Sequence, residues 1–322
     1  MAAESVRALA SIYAQFSERE AVNRSPLYVA ICRAIAGDHA LLLLLSNLPL
    51  EKQQPNLLLA AVKYCHGVAR DWPHFRELVL GDWHRIRAVI LARRTQTNEP
   101  ARCATLLPVL AMLPQPLALI EVGASAGLCL LPDYYAYDYG GRRVTPSRAS
   151  DDPPQFHCAA DPATPVPVRN VDVVWRAGLD TNPLDPADPD DARWLAALVW
   201  PGEGAREQLL QKALKVARAH VPRVAEGDLR RDLPALAAQA PKDATLVVFH
   251  TAVLAYVREK SDREAFAETV RALNAQWVSN ESAEAWNDPE QPPAPWGDFT
   301  LSLNGRALAH TDPHGTAIGW LT

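Results

Sequence analysis

The central stretch LALIEVGASAGLCLL, residues 117–131, combines small and acidic residues at a spacing that fits two kinds of chemistry. Gly123-Ala124-Ser125-Ala126-Gly127 reads G-x-S-x-G, the pattern that exposes a nucleophilic serine on a tight turn in α/β-hydrolases. Glu121 stands just before these residues, and E-x-G-x-x-x-G is also typical of a strand–loop–helix turn that binds a nucleotide-like cofactor. Ser125 is therefore either a nucleophile or a small residue of a cofactor loop.

The place of this motif in the chain favours the cofactor loop. A hydrolase also needs a later acid and histidine, and His250, His310 and His314 are available for that role. In an α/β-hydrolase, however, the serine strand follows earlier strands, one of which helps to form the oxyanion hole. Here the residues before 117 have a helical pattern. We therefore predict a cofactor loop and keep the serine hydrolase as an alternative.

The elements that would position this loop follow from hydrophobic periodicity. Apolar residues recur at helical spacing in residues 1–112, and Ser25-Pro26 is typical of a helix start. Beyond residue 112, short apolar runs alternate with helical stretches, which predicts parallel strands joined by helices. Asn304-Gly305 between alternating residues predicts a final antiparallel hairpin. The five predicted parallel strands lie at 117–122, 171–180, 222–229, 244–253 and 275–280.

These patterns predict an α/β protein with a Rossmann-like, mostly parallel sheet, a C-terminal antiparallel hairpin and a preceding α-helical region. The predicted boundaries are 1–112 for a helical N-terminal cap and 113–322 for the sheet domain. Residues 138–170 are rich in proline, glycine and aspartate, which predicts a long and mostly irregular insertion. We expect the cap to close the substrate pocket and exclude water.

Composition narrows the classes of partner. The chain has 322 residues and a net charge of −5, and a negative chain is poorly suited to non-specific nucleic-acid binding. Its five cysteines show no C-x-x-C pair and no zinc spacing, which indicates reduced thiols and no metal site. Residues 1–20 lack the apolar core of a signal peptide, and Leu41–Leu45 is too short to span a membrane. We expect a cytoplasmic protein that binds a small molecule, with its oligomeric state left open.

The order of strands, loop and hairpin resembles class I S-adenosylmethionine-dependent methyltransferases. That resemblance implies S-adenosylmethionine as the cofactor and methyl transfer to a small-molecule acceptor. Two departures matter: Ser125 replaces the usual middle glycine, and the gap between Gly127 and Asp180 is long, so Asp138 is a second candidate for the acid that binds ribose. The cofactor-binding residues implied by the resemblance are Glu121, Gly123, Ser125 and Gly127 around the first loop, Asp180 at the end of the second strand with Asn182 just beyond it, and Asp228 near the end of the third.

The same resemblance implies residues on the substrate side. His250 and Thr251 lie near the end of the fourth strand, where these methyltransferases often carry groups that face the substrate, and His250 is the candidate general base. Independently of that resemblance, the polar run 95–99 interrupts the helical region just before the first strand and is placed to fold over the ligand edge of the sheet, which makes Gln96 and Asn98 substrate-side candidates. Besides the serine hydrolase, a second alternative is a non-catalytic nucleotide-binding protein with the same fold.

A resemblance that covers nearly the whole chain points to one bacterial family, domain of unknown function 2332. It brings no established activity with it. The segments that carry it are QPNLLLAAVKY, RRTQTNEPARCATLLPVL, IEVGASAGL, GLDTNPLDPADPDDARWLAALVWP, EGDLRRDLP and VVFHTAVLAY.

Overall fold

A computed structural model describes residues 2–96, 98–257, 259–286 and 295–321 of the chain. The helices are α1 (Ala2–Arg19), α2 (Pro26–Gly37), α3 (His39–Ser46), α4 (Pro55–His66), α5 (Trp72–Gly81), α6 (Trp83–Ala92), α7 (Arg102–Met112), α8 (Pro189–Leu198), α9 (Gly204–Ala219), α10 (Leu233–Ala237) and α11 (Lys260–Ala272). The strands are β1 (Leu117–Val122), β2 (Ala136–Tyr139), β3 (Arg142–Val144), β4 (Gln155–His157), β5 (Ala159–Ala160), β6 (Val173–Asp180), β7 (Arg223–Glu226), β8 (Thr245–Thr251), β9 (Gln276–Ser282), β10 (Phe299–Leu303), β11 (Arg306–Thr311) and β12 (Ala317–Trp320).

The chain forms two compact units. Unit 1 comprises residues 1–97 and 189–208, and unit 2 comprises residues 98–188 and 209–322. The boundary predicted at residue 112 from secondary structure alone stays a prediction.

Unit 1 consists of helices. As the sequence predicts, Ser25 caps α2 by accepting a hydrogen bond from the Tyr28 amide, with Pro26 in the first turn. The Lys63 ammonium on α4 donates to the carbonyls of Ala196 and Val199, which ties residues 189–208 to the earlier helices of this unit. Among the described residues, no single helix is long and apolar enough to cross a membrane, and the pair α2 and α3, bent by 86°, meets the length and composition limits only when taken together.

Unit 2 contains a nine-stranded sheet in the order β5-β12-β11-β10-β9-β8-β1-β6-β7. The five strands from β7 to β9 pair in parallel, and β9, β10, β11 and β12 pair antiparallel. The predicted fold class is therefore confirmed, including the turn at Asn304-Gly305 between β10 and β11. The predicted hairpin is extended by β12, which pairs with β11.

The two faces of this sheet carry different side chains, because successive residues of a strand point to opposite faces. On one face, Ile120, Val248 and Trp277 join a hydrophobic core with Phe266 of α11. Helix α7 contacts β9 and β10. Residue Arg102 at the start of α7 bonds to Thr251 at the end of β8, so α7 begins at the carboxyl edge of the parallel strands.

The predicted helix after the first glycine loop is wrong. The chain instead forms two short 3-10 turns, Leu128–Leu130 and Pro132–Tyr134. Side-chain donors take the carbonyls that a helix would have used: the Tyr135 hydroxyl donates to Leu128 and the Arg176 guanidinium to Leu130. These tertiary hydrogen bonds satisfy the backbone without a regular helix.

The predicted irregular insertion at 138–170 contains more structure than expected. Strands β2, β3 and β4 form a separate three-stranded sheet in the order β3-β2-β4, and β5 joins the edge of the large sheet. Buried Tyr137 and Phe156 of this small sheet contact each other. Proline- and glycine-rich composition predicted the turns correctly but missed these short strands, of which β5 pairs with the distant β12.

Candidate functional site

The carboxyl edge of the parallel strands contains the point where the strand order reverses. From β1 the chain crosses to β6 and β7 on one side of the sheet, and β8 and β9 lie on the other side of β1. In open α/β sheets, ligands bind in the crevice outside the carboxyl ends of the strands at such a point. Candidate residues are therefore those at the ends of β1, β6, β8 and β9.

The glycine loop after β1 is a tight turn held by Asp180 of β6. Ser125 has a positive φ of 50°, and its backbone amide donates to Asp180 Oδ2 at 2.7 Å. The other carboxylate oxygen, Oδ1, accepts from the Asn182 amide at 2.8 Å. The structure thus brings three of the predicted cofactor residues together, although Asp180 and Asn182 lie far from Ser125 in sequence.

The two glycines of the loop are required by packing against the protein itself. Both have positive φ, 71° at Gly123 and 69° at Gly127. A Cβ on Gly123 would lie 2.5 Å from a Val253 methyl group, and one on Gly127 would lie 2.8 Å from the Pro222 ring. These close contacts account for both glycines without a ligand.

Asn98 fixes the loop from outside. Its amide nitrogen donates to the Ala124 carbonyl at 3.1 Å, and its Oδ1 accepts from the Leu128 amide at 3.3 Å. The neighbouring Glu99 is buried, and its carbonyl accepts from the Cys129 thiol. The end of the predicted polar run therefore packs on the glycine loop, whereas Gln96 belongs to unit 1.

Four buried polar atoms of unit 2 lack hydrogen-bond partners, and all lie at the carboxyl edge. They are Glu121 Oε2, Ser125 Oγ, Asn280 Nδ2 and His314 Nδ1, out of six such atoms in the part of the chain that the structure describes. Glu121 and Asn280 lie near the ends of β1 and β9, and His314 follows β11. Because buried polar atoms are nearly always bonded, four at one edge indicate groups that await a partner.

Burial raises the pKa of the Glu121 carboxyl well above its usual value. The Cys129 and Asp180 groups raise this pKa further, and the Arg102 guanidinium opposes them. A carboxyl in such surroundings favours its protonated form until a positive group approaches it.

We call Arg102, Thr251 and Asn280 the arginine cluster. Arg102 Nη1 donates to both the carbonyl and the hydroxyl of Thr251 at 3.2 Å. Arg102 Nε donates to the Pro313 carbonyl at 2.8 Å. Thr251 pairs in register with Asn280 of the neighbouring strand. The predicted site residue Thr251 is therefore part of a buried polar group on the α7 face.

We call His250, Trp277 and Glu281 the histidine cluster, which lies on the opposite face. His250 Nδ1 lies 2.6 Å from Glu281 Oε1, and His250 Nε2 accepts from the Trp277 indole at 3.0 Å. Since the indole can only donate, Nδ1 carries the proton and donates it to the carboxylate. Both ring nitrogens are thus bonded within the core, so His250 presents no free nitrogen to an acceptor in this arrangement.

Two predicted acids make surface contacts. Asp228 binds the Arg230 guanidinium, and this hydrogen bond lowers the Asp228 pKa to about 2. Asp138 lies in the small sheet, where its carboxylate accepts from the Gly141 amide of its own hairpin at 2.7 Å. Of the two candidate ribose acids, Asp180 is the one that contacts the glycine loop.

Sequence reasoning missed the partners of these residues. Arg102 was recognisable as a charged residue at the start of the apolar segment RCATLLPVLAM. Glu281 lies one residue beyond the predicted end of its strand, and Asn280 lies at that end. Among the described residues, no group of three or more His, Cys, Asp and Glu side chains is placed to hold a metal ion.

Comparison with known proteins identifies the family and leaves the methyltransferase-like core as a prediction. A family model described as "Uncharacterized protein conserved in bacteria (DUF2332)" matches residues 10–320. Neither the curated proteins nor the solved structures include a match to this chain. The predicted family is confirmed, and the chain belongs to the bacterial family DUF2332 over nearly its whole length.

Proposed function

We propose that this protein is an S-adenosylmethionine-dependent methyltransferase that acts on a small-molecule acceptor. The observation that carries the proposal is the group of unpartnered buried polar atoms at the carboxyl edge of the sheet, which contains the reversal point. A structural core would bond these atoms internally, whereas a ligand site leaves them for the ligand. The loop and acids at this edge then suggest which ligand fits.

The residues present fit the amino-acid and ribose parts of the cofactor. Glu121 Oε2 can accept from an ammonium group, and the Ser125 hydroxyl can donate or accept. Each carboxylate oxygen of Asp180 accepts one backbone amide and keeps a further lone pair for a ribose hydroxyl. S-adenosylmethionine supplies an electrophilic methyl group on a positively charged sulfur.

The chain would contribute mainly by holding its ligands in place. Asp180 and Asn98 fix the glycine loop from two sides, and fixed geometry lowers the entropic cost of bringing two reactants together. His250 acts in this proposal as a positioning residue, because its bond to Glu281 orders the end of β8. The Glu281 carboxylate also accepts from the Val253 and Leu254 amides.

The hydrolase alternative is less well supported. An activated serine is bonded to its general base, whereas Ser125 Oγ is bonded to none of the side chains that the structure describes. A fluorophosphonate probe tests this directly. Stoichiometric labelling of Ser125 that is lost in Ser125→Ala would replace the methyltransferase proposal with a serine hydrolase.

Calorimetric titration with S-adenosylmethionine and S-adenosylhomocysteine tests the proposal. Asp180→Asn should weaken S-adenosylhomocysteine binding by roughly 10- to 100-fold, as expected for loss of a charge-assisted hydrogen bond. Asp138→Asn is the matched control, since this acid lies in the small sheet and should leave binding unchanged. No binding to the wild-type protein, or equal losses in both variants, would contradict the proposal.

A further inference from the structure

Arg102 has a buried positive charge that is not neutralised by contact with an acid. The residue is 5% exposed, and its three hydrogen bonds go to neutral oxygens of Thr251 and Pro313. None of the ion pairs within 4.0 Å that the described residues form includes Arg102. Buried charges are normally paired, because an uncompensated charge in a protein interior is costly. The guanidinium therefore lacks an anion.

The acids near Arg102 do not fill that role. The Glu121 carboxyl is close enough for Arg102 to affect its pKa, but burial and the neighbouring Cys129 and Asp180 groups raise that pKa well above its usual value. Glu99 accepts from the Ala101 amide through Oε1, and its Oε2 lies 3.8 Å from His314 Nδ1. Neither carboxyl is in contact with the guanidinium.

Asn280 has an unused donor on the same face of the sheet. The residue is fully buried, and its Oδ1 accepts from the Thr311 hydroxyl at 2.7 Å. That bond orients the amide group and leaves Nδ2 without an acceptor among the described residues. A buried amide donor with no acceptor is as unusual as an unpaired guanidinium.

Shared neighbours place Arg102 and Asn280 around Thr251 on the same face of the sheet. Thr251 bonds to Arg102 and is the register partner of Asn280, so the two residues flank it. On the other side, Thr311 bonds to Asn280 and Pro313, two residues later, bonds to Arg102. A guanidinium and an amide donor on one face offer several N–H groups to a planar oxyanion.

We propose that Arg102 and Asn280 form a carboxylate-binding subsite for a small-molecule ligand. The guanidinium and Asn280 Nδ2 donate to the oxygens of one carboxylate. That carboxylate belongs either to the acceptor or to the amino-acid part of the cofactor. Both assignments of the carboxylate rest on the proposed function, whereas the subsite itself rests on Arg102 and Asn280 alone.

Benzoate and its neutral analogue benzamide are suitable probes for calorimetry and thermal shift. Wild-type protein should bind benzoate about tenfold or more tightly than benzamide, because only the carboxylate pairs with the guanidinium. Equal affinities, or no binding of benzoate, would overturn the subsite.

Asn280→Asp is the decisive variant. The new carboxylate would supply a negative charge near Arg102, so the melting temperature should rise and the preference for benzoate should disappear. Arg102→Lys is the second variant; it keeps the charge but loses the planar fork, and should reduce the preference while the protein stays folded. Exposed Arg33→Ala is the control and should change neither quantity. Retention of the full preference in both cluster variants would refute the assignment.

Competition distinguishes the two sources. If benzoate weakens the binding of S-adenosylhomocysteine but not that of 5′-methylthioadenosine, which lacks the amino-acid group, the carboxylate belongs to the cofactor. If the affinity for benzoate is the same with and without S-adenosylhomocysteine, the carboxylate belongs to the acceptor. Binding of benzoate without binding of either nucleoside would sustain the subsite and refute the proposed methyltransferase.

Discussion

The histidine cluster and the arginine cluster lie at the ends of the same two strands, on opposite faces. His250 and Thr251 are consecutive in β8, and Asn280 and Glu281 are consecutive in β9. In the histidine cluster, His250 Nδ1 and Nε2 and both Glu281 oxygens are bonded. In the arginine cluster, a guanidinium has no acid and an amide has no acceptor among the described residues.

This difference separates two uses of buried polar groups. A closed network orders a core, since each donor and acceptor that left water has regained a partner. A network with unbonded donors retains the cost of removing those groups from water, and a ligand with matching acceptors can offset that cost when it binds. Near neutral pH, the histidine cluster should therefore govern stability and the arginine cluster should govern ligand binding.

The largest effect is expected from breaking the closed network. Glu281→Ala leaves the His250 Nδ1–H and the Val253 and Leu254 amides without their acceptor. Unfolding in urea should show a loss of about 3–5 kcal/mol. A loss below about 1 kcal/mol would mean that the histidine cluster is not a stabilising network.

Glu121 should produce the next largest effect, and it depends on pH. Its pKa is raised in the folded state, so the folded protein binds the proton more strongly than the unfolded chain. The stability from this group is fully present below about pH 4.5 and is lost as the pH rises through the folded-state pKa, by up to about 1.4 kcal/mol per pH unit.

Glu121→Gln keeps the shape of this side chain and removes its titration. The variant should be less sensitive to rising pH than the wild type, and the difference between their free energies of unfolding should grow with pH. Urea titrations at several pH values measure that difference. A constant difference across the series would show that Glu121 is already ionised in the folded protein.

The ion pair between Asp228 and Arg230 at the surface should have a smaller effect on the free energy of unfolding. Asp228 has a pKa lowered to about 2 by its hydrogen bond to Arg230. Its contribution is present at neutral pH and is lost as the pH falls from about 4 toward 2, and solvent screening holds it below about 1 kcal/mol. Asp228→Asn should therefore cost little at pH 7, and less in high salt. A cost above about 2 kcal/mol would contradict this surface role.

The smallest change in stability is expected at Ser125. Its hydroxyl has no partner among the described residues, so Ser125→Ala removes no hydrogen bond and should alter the free energy of unfolding by less than about 0.5 kcal/mol. Ser125→Leu should instead prevent S-adenosylhomocysteine from binding, because the larger side chain would fill the space proposed for this ligand. If Ser125→Leu binds this ligand normally, the loop does not face the cofactor.

Much of the fold followed from local sequence features. The unbroken apolar run of β1 indicated a buried parallel strand, and all six of its residues are buried. Asn304-Gly305 predicted the turn of the hairpin, and Ser25-Pro26 predicted the start of α2. Such features succeed because the backbone preferences of these residues and the periodicity of burial act over only a few positions.

The candidate site was only partly readable from sequence. The resemblance to methyltransferases singled out Glu121, Ser125, Asp180 and Thr251, but it gave no information about their bonding. His250 illustrates this: its position at a strand end suggested a general base, and its neighbours Trp277 and Glu281 occupy both ring nitrogens. Which face a side chain lies on, and what meets it there, depends on strand register.

The sequence by itself determined the family, the strand–helix alternation and the glycine turn, because these depend on residues close together in the chain. Only the tertiary structure decided which buried polar groups were bonded and which were left open. Arg102 meets Thr251 across 149 positions of sequence, because α7 begins at the edge where β8 ends. Contacts between residues so far apart depend on the packed sheet. Among the described residues, the geometry of that sheet leaves the Arg102 guanidinium without an acid and Asn280 Nδ2 without an acceptor, while it closes the network around His250.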